Sequence, residues 1–234
     1  MTIASNLTAI HDRIARAAQR AGRNPDAIAL IAVCKTQPAA KIIDAYQAGQ
    51  RRFGENRVQE FSEKVAALAS LRDAEFHMIG HLQSNKALKA AELFSAIDSL
   101  DSAKLAERLN AAAEKLGKAL EILIEINVGG EEAKSGVAPN SPQLESIFAG
   151  IPTWKHLRIR GLMTVPPFTE DPEGGRSYFR QLHELRDRLA ARNLPGLALD
   201  ILSMGMSHDF EVAIEEGSTC VRIGTAIFGD RAKP

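Results

Sequence analysis

Residues 28–35 read Ile-Ala-Leu-Ile-Ala-Val-Cys-Lys, an unbroken apolar run that is followed at once by a lysine. A short continuous apolar run predicts a strand that is buried on both faces, as the strands of a parallel sheet are. Side chains alternate along a strand, so Ile31, Val33 and Lys35 are expected on one face and Cys34 on the other. The run therefore predicts a core strand that carries a lysine at its carboxyl end.

Similar apolar runs recur along the chain, with helix-like segments between them. The runs lie at 51–55 (the weakest), 75–80, 95–100, 120–128, 159–165, 199–205 and 220–228. The helix-like segments lie at 38–48, 57–69, 84–92, 102–116, 141–149, 175–192 and 208–216. An amphipathic helix is expected before all of them, at 2–21, because its apolar residues fall on one stripe.

Eight strands that alternate with helices predict a parallel sheet. Eight such units within 234 residues fit a TIM barrel with short loops. The alternative is an open, doubly wound sheet, but no Gly-x-Gly-x-x-Gly turn follows the first strand. We therefore expect an α/β fold, a single (β/α)8 TIM barrel domain over residues 1–234 with an extra N-terminal helix.

The composition excludes several classes of protein. The 29 Lys+Arg residues balance the 29 Asp+Glu residues, whereas a nucleic-acid binder usually has a basic excess. No uncharged apolar run approaches the ~18–20 residues that span a bilayer, and the N-terminus does not resemble a signal peptide. Two cysteines are too few for a disulfide framework or a multi-cysteine metal site. We expect a soluble, cytoplasmic protein that binds no nucleic acid, membrane or metal.

Lys35 is the sharpest candidate for chemistry. The ligand site of a TIM barrel lies at the carboxyl ends of its strands, where Lys35 is expected. Burial there disfavours the charged ammonium, and a neutral amine is what a Schiff base with a carbonyl compound requires. The alternative is a lysine that only ends the strand and reaches solvent.

A candidate phosphate site follows the seventh and eighth strands, where TIM barrels often bind phosphate. Ser207 is a good N-cap residue, so the next helix is expected to begin there and to present free backbone N–H groups to an anion. Gly205 lets the backbone approach a ligand closely, and Gly224 and Thr225 supply a second close turn with a hydroxyl. The alternative is ordinary helix capping and packing.

Arg222 is expected to point into the barrel, opposite its apolar neighbours on the strand. A buried arginine needs a partner, which is either an internal carboxylate or a ligand. A lysine that traps carbonyl groups, a phosphate site and an inward arginine together suggest pyridoxal 5′-phosphate as cofactor.

Several ordered motifs make the sequence resemble the pyridoxal phosphate homeostasis proteins along nearly its whole length. They occupy residues 32–36, 53–60, 77–86, 133–136, 161–164, 202–209 and 221–229. The resemblance implies a barrel like the N-terminal domain of alanine racemase, with the cofactor joined to Lys35 as an aldimine.

The resemblance also implies which residues contact the other parts of the cofactor. It implies that the phosphate lies near Ser203, Met206, Ser207, Gly224 and Thr225. It implies that Arg222 faces the pyridine nitrogen, with Asn56 and the end of the third strand beside the ring. A permanent positive charge there disfavours protonation of the pyridine, so the site suits holding the cofactor better than most catalysis.

Three functions remain open at this point. The first is a carrier that stores, buffers or delivers pyridoxal phosphate as a monomer, with transient contacts to the apoenzymes that need it and no catalytic residues of its own. The second is an amino-acid racemase, which needs a second acid/base group such as a tyrosine. The only tyrosines, Tyr46 and Tyr178, fall in predicted helices, and no room for the second domain of a racemase is expected after Gly229. The third is a lyase or aldolase that uses Lys35 without a cofactor.

Overall fold

The computed structural model describes residues 2–131 and 134–229, and its sheet is a closed barrel in which β1 to β8 follow in chain order. Every neighbouring pair is parallel, including β8 with β1. The strands are β1 (Ala29–Val33), β2 (Arg52–Glu55), β3 (Glu75–Met78), β4 (Ala96–Leu100), β5 (Leu120–Glu125), β6 (Leu157–Met163), β7 (Leu197–Ser203) and β8 (Cys220–Ile223). The predicted (β/α)8 barrel is confirmed, and the open sheet is excluded.

Helices surround the barrel. They are α1 (Ile3–Arg20), α2 (Ala39–Gln47), α3 (Val58–Lys64), α4 (Ala87–Leu93), α5 (Ala103–Lys115), α6 (Pro142–Gly150), α7 (Arg176–Ala190), α8 (Phe210–Glu215) and α9 (Thr225–Phe228). The extra N-terminal helix α1 is confirmed, and it packs against α8 and α9. Its buried residues are those of the predicted stripe, Leu7, Ile10, Ile14, Ala17 and Ala18. In the described part of the chain, no helix has both the length and the apolar character that crossing a membrane requires.

The alternation of side chains in β1 separates two regions of the core. Leu30, Ala32 and Cys34 pack outward, in the large apolar cluster between the sheet and the helices. Val33 lies on the opposite face and lines a cavity inside the barrel mouth. The strand itself ends at Val33, so Lys35 lies two residues beyond it, in a turn.

Two segments near the site differ from the expected structure. The apolar run 220–228 is not one strand, because β8 ends at Ile223 and the chain turns at Gly224 into the short helix α9. The helix expected at 208–216, with Ser207 as its N-cap, begins instead at Phe210, with Asp209 as its N-cap. The reason is local, since Asp209 Oδ1 accepts a hydrogen bond from the Met206 N–H at 2.7 Å, which holds residues 206–209 in a turn before the helix.

Candidate functional site

A cavity of about 440 Å³ lies at the carboxyl ends of the strands. This volume is within the range of roughly 300–1,000 Å³ that is usual for small-molecule sites. Its lining includes most of the residues expected from the sequence, namely Lys35, Asn56, Met206, Ser207, Arg222, Gly224 and Thr225. Two other expected residues, Ser203 and Gly205, are not part of this lining.

Lys35 is half-buried in a tight turn at the mouth of the cavity. The turn is closed by a hydrogen bond from the backbone N–H of Gln37 to the carbonyl of Cys34, at 3.1 Å. Thr36 has a φ of 63°, in the left-handed region that β-branched residues rarely adopt. Lys35 is thus presented by a constrained turn and not by the strand itself.

The corner formed by the loops after β7 and β8 is rich in hydrogen-bond donors. Ser207 Oγ accepts a hydrogen bond from the backbone N–H of Gly224 at 3.2 Å, which ties the two loops together. The amides of Thr225 and Ala226 lie in the first turn of α9, where no acceptor exists within the helix. Together with the hydroxyl groups of Ser207 and Thr225, they form a donor set that suits a phosphate.

Gly205 serves packing in this corner. It has a φ of 95°, and a Cβ atom there would lie 2.6 Å from the Cβ of Ala213 and 2.8 Å from the Cα of Phe210. Its close approach is therefore to α8, and its carbonyl accepts a hydrogen bond from the Arg222 N–H at 3.0 Å. These contacts agree with the alternative of a packing glycine.

Arg222 points into the barrel and is almost fully buried. Its guanidinium donates to Ser203 Oγ and to the carbonyl of Thr164, both at 2.7 Å. Burial lowers the pKa of Arg222. Among the described residues no carboxylate forms an ion pair with Arg222, whose guanidinium instead donates to a hydroxyl and a carbonyl.

Glu125, at the end of β5, is an acidic group that sequence reasoning missed. It is only 7% exposed, and no described residue makes a hydrogen bond to its Oε2. Burial raises the pKa of Glu125 to about 7, although the nearby charge of Arg222 acts in the opposite direction. Sequence alternation along β5 was the available signal, since it places Glu125 opposite the apolar residues of the outer face.

The lining also contains residues beyond the individually named cofactor-binding candidates. They are Val33, Gln37, Ile79, Val165, Phe168, His208 and Gly229. Phe168 is 76% exposed, and its ring centroid lies 5.4 Å from that of His208. These two rings form part of the rim of the cavity, far apart in sequence and joined only by the fold.

Residues near the end of the third strand line cavities at two different mouths of the barrel. Ile79 lines the candidate site, whereas His77 lines a second cavity of about 900 Å³ at the amino ends of the strands. There His77 Nδ1 lies 3.1 Å from Asp98 Oδ1. In residues 2–131 and 134–229, no group of three or more His, Cys, Asp or Glu side chains is placed to hold a metal ion.

Other residues considered from the sequence lie away from the cavity. Tyr46, in α2, contacts Asp73 and stacks on Arg51, and neither it nor Tyr178 is part of the lining. Lys134 pairs with Glu131 at 2.8 Å. Ala133 of the 133–136 motif lies outside the described residues, as do Arg231 and Lys233 of the C-terminal tail.

Comparison with known proteins gives consistent matches. The family of the alanine racemase N-terminal domain matches residues 5–232. The pyridoxal phosphate homeostasis protein of Aquifex aeolicus is 46% identical over 231 residues, which cover 99% of each chain. The protein of the same name from Escherichia coli K12 is 43% identical and covers 98% of this chain and 97% of its own length.

Solved structures agree with these matches. PipY of Synechococcus elongatus PCC7942, solved with pyridoxal phosphate bound, superposes with a TM-score of 0.82 at 38% identity, covering 97% of this chain and 100% of PipY. An alanine racemase of Clostridium difficile 630 superposes with a TM-score of 0.73 at 14% identity, covering 99% of this chain and 57% of the racemase. The second likeness concerns the fold alone. The full-length matches confirm the resemblance that the sequence motifs indicate, and the chain belongs to the family of the pyridoxal phosphate homeostasis proteins.

Proposed function

We propose that this protein binds pyridoxal 5′-phosphate, holds it on Lys35 as a Schiff base, and buffers and carries the cofactor for the cell. The observation that carries the proposal is the convergence of Lys35, Arg222 and the Ser207–Thr225 donor corner on one cavity of about 440 Å³. The names of the relatives and the cofactor bound in PipY support the same conclusion.

Lys35 supplies the amine. Its Nζ, when neutral, adds to the aldehyde carbon of the cofactor, a C=N bond forms, and the aldehyde oxygen leaves as water. The addition needs the neutral form of the amine, which is the nucleophile. The aldehyde is what pyridoxal phosphate contributes, and every other contact comes from the chain.

In this proposal, the loops after β7 and β8 bind the phosphate group of the cofactor. The hydroxyl groups of Ser207 and Thr225 and the first-turn amides of α9 are the donors. The Met206 N–H, by contrast, is already engaged with Asp209. Met206 therefore contributes its side chain to the lining more than its amide to the anion.

Arg222 explains why the site favours holding the cofactor over catalysing reactions with it. A guanidinium facing the pyridine nitrogen keeps a proton off that nitrogen by charge repulsion, which weakens the ring as an electron sink. A racemase also needs a second acid/base group, and neither Tyr46 nor Tyr178 lines the cavity. The racemase alternative is not favoured. A Schiff-base lyase or aldolase without a cofactor does not account for the donor corner or for the cofactor in PipY.

The carrier role includes further proposals. We expect one cofactor-binding barrel domain, acting as a monomer in the cytoplasm and meeting pyridoxal-phosphate-requiring apoenzymes transiently. Size-exclusion chromatography with light scattering measures the mass in solution. A stable dimer would contradict the proposed monomeric state and would leave the proposal of cofactor binding unaffected.

The function is tested by the absorption of the purified protein after incubation with pyridoxal phosphate. The wild type is expected to show a visible Schiff-base band, and Lys35→Ala is expected to lose it. Lys89→Ala is the matched control, because Lys89 is an exposed lysine paired with Glu92 on α4. A Lys35→Ala protein that keeps the band contradicts the assignment of Lys35, and rapid turnover of D- and L-amino acids contradicts the carrier role.

A further inference from the structure

The turn that carries Lys35 is held at both ends by one side chain of α3. Lys64, the last residue of α3, places its ammonium nitrogen 3.4 Å from the carbonyl oxygen of Cys34 and 3.2 Å from that of Gln37. These are the two residues whose mutual hydrogen bond closes the turn. An ammonium has three N–H donors and can serve several acceptors at once. Lys64 therefore ties both ends of the Lys35 turn to a helix.

Glu60 contacts the same turn between those ends. Its carboxylate accepts a hydrogen bond from the backbone N–H of Thr36, and its Oε1 lies 3.1 Å from the Lys64 nitrogen. Thr36 has the positive φ that a β-branched residue avoids. Such a conformation persists only where the surrounding structure imposes it. The contact with Glu60 supplies this restraint at the residue next to Lys35.

Lys64 is itself held in place by the buried carboxylate of Glu55. Its nitrogen lies 2.6 Å from Oε1 of Glu55, whose side chain is fully buried, and Lys64 is only 12% exposed. The same Glu55 oxygen accepts a weak hydrogen bond from the Cys34 thiol at 3.3 Å. Neither Lys64 nor Glu60 belongs to the cavity lining. The two charged residues thus contact the turn without being part of the cavity lining.

We propose that Lys64, together with Glu60, is a positioning residue that fixes the Lys35 turn so that the amine meets the cofactor aldehyde in a reactive orientation. This inference rests on the proposed function. A reacting group that is held in place gains rate from its orientation, and a misplacement of about 1 Å costs roughly 100-fold. The pair on α3 therefore controls how fast the cofactor is captured, while the covalent chemistry stays with Lys35.

The variants separate positioning from folding. Lys64→Met removes the ammonium but leaves the buried Glu55 carboxylate without a counter-ion, which endangers folding. The double variant Glu55→Gln/Lys64→Met removes both charges together and avoids that problem. Glu60→Gln weakens the contact with the Thr36 N–H and also the Glu60–Lys64 ion pair, but leaves the Lys64–Glu55 pair in place. Lys89→Met is the matched control, since it breaks the exposed Lys89–Glu92 pair, 3.0 Å long, on another helix.

Two measurements are made on each folded variant. In the apoprotein, hydrogen exchange of the Thr36 and Gln37 amides is expected to be at least about tenfold faster in the double variant than in the wild type. When pyridoxal phosphate is added, the rate constant of Schiff-base formation is expected to fall by about tenfold or more, within the range that misplacement produces. Borohydride reduction and peptide mass mapping should still find the cofactor on Lys35. Glu60→Gln is expected to show smaller changes in the same directions, and Lys89→Met none.

A folded double variant with the exchange and capture rates of the wild type overturns the positioning role. If the wild type itself takes up no cofactor on Lys35, the proposed function fails instead. The exchange rates of the apoprotein, which involve no cofactor, then still show whether α3 holds the turn.

Discussion

Nη1 of Arg222 donates a hydrogen bond of 2.7 Å to Oγ of Ser203, and this contact joins β8 to β7 inside the barrel. The second nitrogen, Nη2, donates to the carbonyl of Thr164, just past the end of β6. Two fixed acceptors thus orient the guanidinium before any ligand arrives. A charge that is already oriented acts on the cofactor ring without reorganisation of the protein when the ligand binds.

Ser203→Ala is expected to lower the free energy of unfolding by about 1–3 kcal/mol, because it leaves a buried donor of Arg222 without its acceptor. Urea unfolding of the apoprotein measures the change. Ser146→Ala is the control, since its exposed hydroxyl bonds only within α6, and it should change stability by no more than about 0.5 kcal/mol. Equal stabilities of the two variants would contradict the role given to Ser203.

Gly205→Ala and Gly49→Ala form a matched pair that separates backbone strain from steric clash. Both glycines have a φ near 100°, but a Cβ at Gly49 meets nothing within 4 Å, whereas one at Gly205 meets Ala213 at 2.6 Å. Gly49→Ala is expected to cost about 1–2 kcal/mol from backbone conformation alone. Gly205→Ala should cost a further ~1–3 kcal/mol from overpacking. The same loss of unfolding free energy in both variants argues against the close contact with α8.

Glu125→Gln is expected to change the pH dependence of stability. The carboxyl group is protonated in both states at low pH, and the unfolded chain releases its proton first as the pH rises, because the folded pKa is raised to about 7. Ionisation therefore disfavours the folded wild type increasingly between about pH 4.5 and 7, by up to about 3 kcal/mol. As the pH rises through this interval, the unfolding free energy of Glu125→Gln should increase relative to that of the wild type. Urea unfolding from pH 5 to 8 tests this, and a constant difference contradicts a raised pKa.

Phe168→Ala is expected to speed release of the cofactor without changing stability. The ring is 76% exposed, so its removal should alter the unfolding free energy by no more than about 0.5 kcal/mol. The ring also covers the rim of the cavity beside His208, and loss of a rim contact acts mostly on the dissociation rate. Transfer of pyridoxal phosphate to an excess of an apoenzyme measures that rate. Release at the wild-type rate would show that the Phe168 ring does not retain the cofactor.

Local sequence patterns are sufficient to predict the barrel and the inward residues. The strand period of two residues places Val33 on the inner face of β1 and Arg222 on the inner face of β8, and the structure has both there. The same period does not tell which mouth of the barrel an inner residue faces. His77 and Ile79 share a face of the third strand, yet His77 opens to one mouth and Ile79 to the other.

Tertiary contacts decide the details that the sequence leaves open. Ser207 and Asp209 are both good N-cap residue types, and the helix begins after Asp209, whose carboxylate accepts the Met206 N–H of the preceding turn and makes no capping bond. Ser207 is instead engaged by Gly224 from the next loop. The contacts of Lys64 with the Lys35 turn likewise could not be predicted from the sequence, because Lys64 lies far along the chain from the Cys34 and Gln37 carbonyl groups to which it donates.

Borohydride reduction of the protein loaded with pyridoxal phosphate, followed by mass mapping of its peptides, shows directly whether Lys35 carries the cofactor. Reduction converts the Schiff base into a stable secondary amine and so marks the lysine that carried the cofactor. We expect one predominant pyridoxyl-modified site, Lys35, with the mark absent from Lys35→Ala. A mark that lies mainly on another lysine, or a protein that binds the cofactor and carries no mark, would contradict it.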